Sequence, residues 1–276
     1  MNYSEFVKTM QLEVKEKMDE GIRVERHTVL KNNGTLREGL VISTRDSNVS
    51  PTIYLEEFYD QYLNGTPLME VVQSIMSLYD QIKVSKPYHY DEVISYDKMK
   101  NRILYKLVNK ELNQDLLKDI PYIEYLDLAI VFYILVETTS YGNASILIRN
   151  EHLMNWGVSL DEIYESACKN TRNLLPLEVE KMTQYMYLVT NKLRNLGAST
   201  ILYPETCKEL EEMIQDNFYI LPSSIHEVII IPESYGVDKE HLEFMVREIN
   251  ETEVDAEDLL SDHVYFYDKT KKEIMM

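Results

Sequence analysis

The sequence predicts an α+β fold: a helical N-terminal region with one β-hairpin, then a mostly antiparallel sheet with helices on one face. Three observations support this prediction. Apolar residues recur at helical spacing through much of the first half of the chain. Short β-permissive runs separated by turn residues follow in the second half, where two stretches also align at a constant offset of 54 positions.

The N-terminal segment predicts a helix followed by a hairpin. Phe6, Met10 and Val14 repeat at helical spacing, and a helix over 1–20 would end at Gly21. Two β-permissive runs then flank the dipeptide Asn33-Gly34, which readily supplies the positive φ angles of a tight turn. These runs span 22–30 and 36–44.

Three further helices are predicted in the first half of the chain. They are expected over 53–62, 68–79 and 96–110. The polar segment 110–121 favours a connector. We therefore expect an N-terminal region over 1–115 and an α+β domain over 116–276, with a single shared core as the alternative.

The internal similarity suggests a duplicated β-β-α unit. Tyr133-Ile134-Leu135 matches Tyr187-Leu188-Val189, and Ala144-Ser145 matches Ala198-Ser199. Each copy predicts an apolar strand, a connector with Gly142 or Gly197, a second strand that begins at Ala-Ser, and a helix. The alternative is a chance match.

The rest of the second half predicts two capped helices and three strands. Ser159 and Glu162 form a capping box for a helix that continues to about residue 173. Asp238 is expected to cap a helix that extends to residue 249. The strands are expected over 217–221, 227–231 and 263–267.

Charge disfavours direct nucleic-acid binding. The chain has 28 Lys and Arg against 47 Asp and Glu, a formal net charge of -19, so its surface repels phosphate backbones. The last 72 residues hold 19 of the acids and 6 of the bases, and the run 251–262 has six acids and no base. A solvated face explains this run, and a basic partner or a nucleic-acid-mimic surface is the alternative.

Cysteine content and hydropathy predict a cytoplasmic protein without a membrane span. Cys168 and Cys207 are too few for a disulfide framework and lack zinc-type spacing. The N-terminus has no uninterrupted apolar run typical of a signal peptide. The most apolar window, 120–136, contains Glu124 and Asp127, and its uninterrupted apolar run, 128–136, is far short of the roughly 18 residues that a membrane span needs.

Motifs for cofactor and metal chemistry are absent from the sequence. It contains no P-loop, no dinucleotide-binding glycine pattern, no zincin motif and no nucleophile elbow. The six histidines show no ligand-like spacing. We therefore expect no cofactor and no resident metal.

One polar constellation is a candidate site. Ser223, Ser224, His226 and Glu227 lie in a predicted turn between two strands, where a serine nucleophile and a histidine base would suit a hydrolase. No oxyanion hole is apparent. The alternative is a turn in which the hydroxyls cap backbone amides and Ile225 fills the core.

Several phrases resemble an uncharacterised bacterial family, the domain-of-unknown-function family 5688 of gut Firmicutes. They are Lys31-Asn32-Asn33-Gly34, Ser50-Pro51-Thr52-Ile53-Tyr54-Leu55-Glu56 with Phe58-Tyr59, Gly197-Ala198-Ser199 with Leu202-Tyr203-Pro204, and Leu221-Pro222-Ser223-Ser224-Ile225-His226-Glu227-Val228. The C-terminal half is more weakly similar to another uncharacterised Firmicutes family. The resemblance implies a cytoplasmic bacterial protein with no established activity, so it assigns no catalytic residue and no cofactor.

Three functional hypotheses follow. The first is a non-catalytic protein that binds a protein partner, favoured by the missing catalytic motifs, the acidic C-terminal surface and the 21 tyrosines. Tyr54, Tyr59, Tyr62, Tyr88 and Tyr90 are concentrated in the N-terminal half. The second is a hydrolase of unfamiliar type at Ser223, Ser224, His226 and Glu227, and the third is an acidic decoy for a nucleic-acid-binding protein.

Overall fold

The computed structural model describes residues 1–44, 50–83, 95–139 and 142–276. Its contacts divide the chain into two compact units. The first unit comprises 1–31, 35–99 and 135–145, and the second comprises 32–34, 100–134 and 146–276. This division differs from the boundary expected after residue 115, which stays a prediction.

The first unit packs helices against a three-stranded antiparallel sheet in the order β1-β2-β3. Its elements are α1 (Tyr3–Glu16), β1 (Arg23–Leu30), β2 (Leu36–Ser43), β3 (Thr52–Tyr54), α2 (Glu56–Leu63), α3 (Leu68–Ile82) and α4 (Tyr96–Met99). The fully buried side chains of Phe6, Met10, Leu40 and Ile75 lie in one core. Tyr59 and Tyr62 pack at its edge, while Tyr88 and Tyr90 lie outside the described residues.

Most predictions for this unit are confirmed. The first helix forms but ends at Glu16, before the expected stop at Gly21. The two hairpin strands form where expected, and the turn residues Asn33 and Gly34, which belong to the second unit, have positive φ angles of 56° and 71°. The helix predicted from residue 53 begins only at Glu56, because Ile53 pairs with Leu40 as part of β3.

The second unit contains two antiparallel sheets. One is β4-β6-β5, with β7 also paired to β6, and the other has the order β13-β12-β10-β11-β9-β8. The strands are β4 (Ile103–Asn109), β5 (Tyr122–Tyr125), β6 (Leu128–Thr139), β7 (Gly142–Leu147), β8 (Leu177–Lys181), β9 (Tyr187–Asn191), β10 (Phe218–Leu221), β11 (Val228–Pro232), β12 (Tyr265–Asp268) and β13 (Glu273–Met275). The far ends of β6 and β7 are counted with the first unit.

Five α-helices of the second unit accompany these strands in the described part of the chain. They are α5 (Gln114–Leu117), α6 (Asn150–Trp156), α7 (Leu160–Leu174), α8 (Thr206–Ile214) and α9 (Lys239–Thr252). The capping box of Ser159 with Glu162 and the cap at Asp238 are both confirmed. The α+β fold is therefore confirmed, with two sheets in the second unit where one was expected.

The helix predicted over 96–110 is wrong beyond residue 102. Residues 103–109 form β4, whose side chains are buried on both faces, including Leu104, Tyr105 and Leu107. A strand covered on both sides is a continuous apolar run, which periodicity does not distinguish from a buried helix. Helix α7 covers it, and the Thr171 hydroxyl accepts a hydrogen bond from the Tyr105 amide at 3.2 Å.

Only the first of the two similar segments forms the predicted β-β-α unit. That copy forms β6, β7 and α6, but in the second copy a 3₁₀ helix, Gly197–Leu202, replaces the predicted second strand. The strands β8 and β13, which the sequence did not predict, complete the six-stranded sheet.

Helix α9 covers part of the six-stranded sheet. Its buried Leu242 and Val246 pack with Leu221 of β10 and Ile231 of β11. None of the helices described is long and apolar enough to cross a membrane. The opposite side of α9 is mostly polar, and its exposed apolar side chains are Phe244 and Ile249.

Candidate functional site

The predicted polar turn between β10 and β11 is held by backbone hydrogen bonds to the segment 258–261. The Ile225 amide donates to the Asp258 carbonyl at 2.8 Å, and the Leu260 amide donates to the Ser223 carbonyl at 3.0 Å. Ser224 is 8% exposed, and its hydroxyl accepts the His226 amide at 3.0 Å. Ile225 is buried, as the structural alternative for this turn expects.

The His226 ring has a partner at each nitrogen. Nδ1 accepts the Leu196 amide at 3.2 Å, and Nε2 lies 3.2 Å from Oδ1 of Asp258. The hydrogen bond with Asp258 raises the pKa of His226 against the opposing effect of burial. An imidazole that accepts at Nδ1 carries its proton on Nε2 and donates it to the carboxylate.

This geometry favours a structural role for His226. A general base needs a free nitrogen that faces the nucleophile, and both ring nitrogens are already engaged. Ser224 contacts the backbone amide of His226, and among the described residues no hydrogen bond joins a serine hydroxyl to the ring. The hydrolase hypothesis for Ser223, Ser224, His226 and Glu227 stays a prediction.

Gly197 packs against this turn at a position that leaves no room for a side chain. A Cβ at this position would be 2.1 Å from Oγ1 of Thr190 and 2.5 Å from the carbonyl oxygen of His226. The Thr190 hydroxyl donates to the same carbonyl at 2.7 Å. The glycine of the Gly-Ala-Ser phrase therefore permits the close approach of two backbone segments.

A second polar cluster, centred on Asp127, was missed by the sequence analysis. Ser261 Oγ and His263 Nδ1 lie 2.6 and 3.0 Å from Oδ2 of Asp127, and the Tyr265 hydroxyl donates to Oδ1 at 2.5 Å. Burial by itself would raise the pKa of Asp127, but the hydrogen bonds from Ser261, Tyr265 and His263 lower it below its usual range. The cluster ties the β5–β6 turn to the strand β12.

The signal for this cluster in the sequence is weak. Asp127 interrupts an apolar window, and Ser261, His263 and Tyr265 alternate as a strand would place them on one face. Nothing in the sequence relates these two segments, which are separated by more than 130 positions. Their proximity is a result of tertiary structure.

The outer face of α9 carries an exposed aromatic side chain among carboxylates. Phe244 is 62% exposed, while the other five phenylalanines of the chain are buried or half-buried. One helical turn away on either side lie Glu240 and Glu248, and Glu251 follows two turns after Phe244. All three glutamates are exposed.

The bases of α9 do not neutralise this face. Lys239 and Arg247 both pair with Glu243, at 3.7 Å each. No ion pair is recorded for Glu240, Glu248 or Glu251 with any residue that the structure describes. We call these three glutamates and Phe244 the α9 face.

The described residues offer little for metal or thiol chemistry. They contain no group of three or more His, Cys, Asp or Glu side chains arranged to hold a metal ion. Cys168 and Cys207 are both free thiols, and burial raises the pKa of Cys207 to about 11. A thiol with such a pKa is protonated at neutral pH and is a poor nucleophile.

Comparison with known proteins gives one family. The model of the family described as "Family of unknown function (DUF5688)" matches residues 3–186 and 181–269. Searches of curated proteins and of solved structures found no match.

Proposed function

We propose that this chain, which belongs to the DUF5688 family of unknown function, is a non-catalytic protein that binds a basic partner protein through the α9 face. The observation that carries the proposal is Phe244, an exposed aromatic side chain flanked by glutamates. Exposed aromatic side chains are typical anchors of protein interfaces, where they fill a pocket on the partner. The cytoplasm is the proposed location, because the two cysteines fit a reducing compartment.

Charge complementarity supports a basic partner. The chain carries a net charge of -19, and Glu240, Glu248 and Glu251 lie on the same helix face as Phe244 without an ion-pair partner among the described residues. A partner with lysines or arginines around an apolar pocket would neutralise these carboxylates while it buries the ring. Long-range attraction would also accelerate association, and salt would weaken it.

The α9 face is free to bind because the fold does not need it. The helix is held to the sheet by its opposite side, through Leu242, Val246 and Asn250, all of which are buried. Asn250 adds hydrogen bonds from Nδ2 to the Ser261 carbonyl at 3.0 Å and to Asp262 Oδ1 at 2.7 Å. Substitutions on the outer side should therefore leave the fold intact.

A capture experiment with matched variants tests the proposal. The tagged full chain, Phe244→Ala and the triple variant E240Q/E248Q/E251Q are each incubated with lysate of the source cell, with and without nuclease. Met154→Ala is the control, because Met154 is 75% exposed and lies on α6, away from the α9 face in sequence. Captured proteins are quantified by mass spectrometry against a tag-only sample, and the purified partner is then titrated.

We expect one basic protein to bind the wild type and Met154→Ala equally. Its affinity for Phe244→Ala should fall by about ten-fold or more, as for an interface hot spot. The triple variant should bind more weakly and with less dependence on salt. Equal capture by Phe244→Ala, or no specific protein at all, would refute the proposal.

The same experiment separates the alternatives. A nucleic-acid-binding protein that is displaced by nucleic acid would favour the decoy hypothesis. If no partner is captured, the hydrolase hypothesis is tested next by a screen of hydrolase substrates, with His226→Ala as the control variant.

A further inference from the structure

The β4–β6–β5 sheet has a cavity at one end that the proposed function does not use. The cavity has a volume of about 590 Å³, and it lies between the segment after β4 and the β5–β6 turn. Leu117, Tyr122 and Leu126 form apolar parts of its wall, and Lys110, Lys118 and Asp127 contribute polar groups. This size and this mixture of groups are typical of small-molecule sites.

Local hydrogen bonds hold the wall in place without a ligand. The Lys110 amide donates to the Asp127 carbonyl at 3.2 Å. Asn113, only 2% exposed, donates from Nδ2 to the Asn109 carbonyl at 2.8 Å, and Oδ1 of Asn109 accepts the Leu112 amide at 2.8 Å. The cavity is therefore preformed, which lowers the entropic cost of binding.

Leu126 occupies a backbone conformation that normally belongs to glycine. It has a φ of 54° in a two-residue turn between the paired residues Tyr125 and Leu128. Glycine is the usual residue at the first position of such turns, because a branched side chain is disfavoured at positive φ. A leucine at this position is unfavourable for the turn, but its side chain supplies an apolar wall of the cavity.

The charges of the cavity favour an anion. The carboxylate of Asp127 already accepts hydrogen bonds from Ser261 and Tyr265 and is paired with His263, so little of it is left for a ligand. Within the part of the chain that the structure describes, the ion pairs of Lys110 and Lys118 are with exposed carboxylates, Glu124 at 2.7 Å and Asp115 at 2.6 Å. Such surface pairs are weak and can exchange for a ligand anion.

Glu111, which also lines the cavity, opposes an anion. It is exposed, so solvent screens its charge more effectively than that of a buried group. A carboxylate offers a ligand anion no donor, whereas each of the two ammonium groups offers three.

We propose that this cavity binds an amphipathic carboxylic acid. Its carboxylate is held by Lys110 and Lys118, and its hydrocarbon part packs on Leu117, Tyr122 and Leu126. This inference is independent of the α9 face, so either proposal can fail without the other.

Calorimetric titration of the full chain with octanoate tests the inference. Octanol and octylamine serve as probes of the same length without the negative charge. We expect saturable binding of octanoate and much weaker binding of the other two probes. Absence of octanoate binding, or equal binding of all three, would overturn the proposal.

Variants then locate the site. Leu126→Gly removes one wall while it relieves the unfavourable φ angle, so the affinity should fall by about ten-fold or more without any loss of thermal stability. Lys110→Gln should weaken octanoate binding and leave octanol binding unchanged. Leu112→Ala and Lys208→Gln are the controls, because both positions are exposed and neither lines the cavity. Unchanged affinity in both Leu126→Gly and Lys110→Gln would contradict the assignment.

Discussion

Two histidine–aspartate pairs stabilise the second unit in different ways. In one pair the imidazole is the shared group: His226 accepts the Leu196 amide at Nδ1 and contacts Asp258 through Nε2. In the other pair the carboxylate is the shared group, with Ser261, His263 and Tyr265 converging on Asp127. The His226 side chain is 28% exposed and that of His263 is 53% exposed.

In each pair, the fold depends most on the group that several partners share. Loss of the shared group leaves several partners without a hydrogen bond, whereas loss of a peripheral group removes a single one. The fold should therefore be more sensitive to changes at Asp127 than at His263. In the other pair, the close packing under His226 should matter more than the charge of Asp258.

The largest effect is expected from Gly197→Ala, which would break the packing under His226. The new methyl group would overlap the His226 carbonyl oxygen and the Asn191 amide nitrogen, which are backbone atoms that cannot easily move. We expect the free energy of unfolding to fall by about 3 kcal/mol, as for overpacking of a rigid site. Urea denaturation followed by circular dichroism measures this change.

Gly157→Ala is the control for that experiment. Gly157 has a φ of 67° and open space around it, so alanine there introduces only backbone strain. Its cost should be about 1 kcal/mol. A smaller loss for Gly197→Ala than for Gly157→Ala would show that the turn under His226 is adaptable.

Asp127→Asn should have the next largest effect, because an amide cannot accept all the hydrogen bonds that reach the carboxylate. We expect a loss of about 2 kcal/mol in the free energy of unfolding, against about 0.5 kcal/mol for His263→Gln. Equal losses for the two variants would mean that the carboxylate is not the shared group.

Asp127 should also make the free energy of unfolding depend on pH in the acid range. Because the folded pKa of Asp127 is lowered from 3.8, its stabilising contribution is present above pH 3.8 and is lost as the pH falls through the lowered pKa. The urea midpoints of wild type and Asp127→Asn, measured from pH 7 to pH 3, should therefore move closer together as the pH falls below 3.8. Parallel curves would contradict the prediction.

The smallest effect concerns the charge of the His226–Asp258 pair. The pKa of His226 is raised from 6.5, so the pair contributes stability that is full below pH 6.5 and is lost as the pH rises through the raised value. Protonation of Nδ1 also removes the hydrogen bond from the Leu196 amide, so we expect the wild type to lose only about 0.5 kcal/mol on this account, and Asp258→Asn to lose less over the same pH range. Urea unfolding of both proteins in steps between pH 6 and pH 9 measures this difference. If the free energy of unfolding changes with pH equally in both, the pair carries no net charge interaction.

Local chemistry allowed several elements to be predicted. The caps at Ser159 and Asp238 form as expected, because a cap depends on residues within one turn of the helix. The positive φ angles at Asn33 and Gly34 follow from residue type alone. The strand β4 was predicted as a helix, because its side chains are buried on both faces and show no periodicity of two.

The candidate site was predicted only in part, because some of its contacts are local in sequence and others are distant. The contact between the Ser224 hydroxyl and the His226 amide could be expected, because the two residues are only two positions apart. Residue order does not indicate that the imidazole contacts Leu196 and Asp258, which are 30 and 32 positions away. It also could not show that Asp127 would meet Ser261 and Tyr265.

The sequence by itself therefore determined the fold class, the helix caps, the first hairpin and the acidic character of the C-terminal region. Tertiary structure alone decided which polar groups meet, which side of α9 is left uncovered and where Leu126 forms a cavity wall. The physical reason is the range of the interactions: propensity, capping and net charge are properties of short segments or of composition. Hydrogen-bond partners, burial and cavities depend on segments that come together only when the chain has folded.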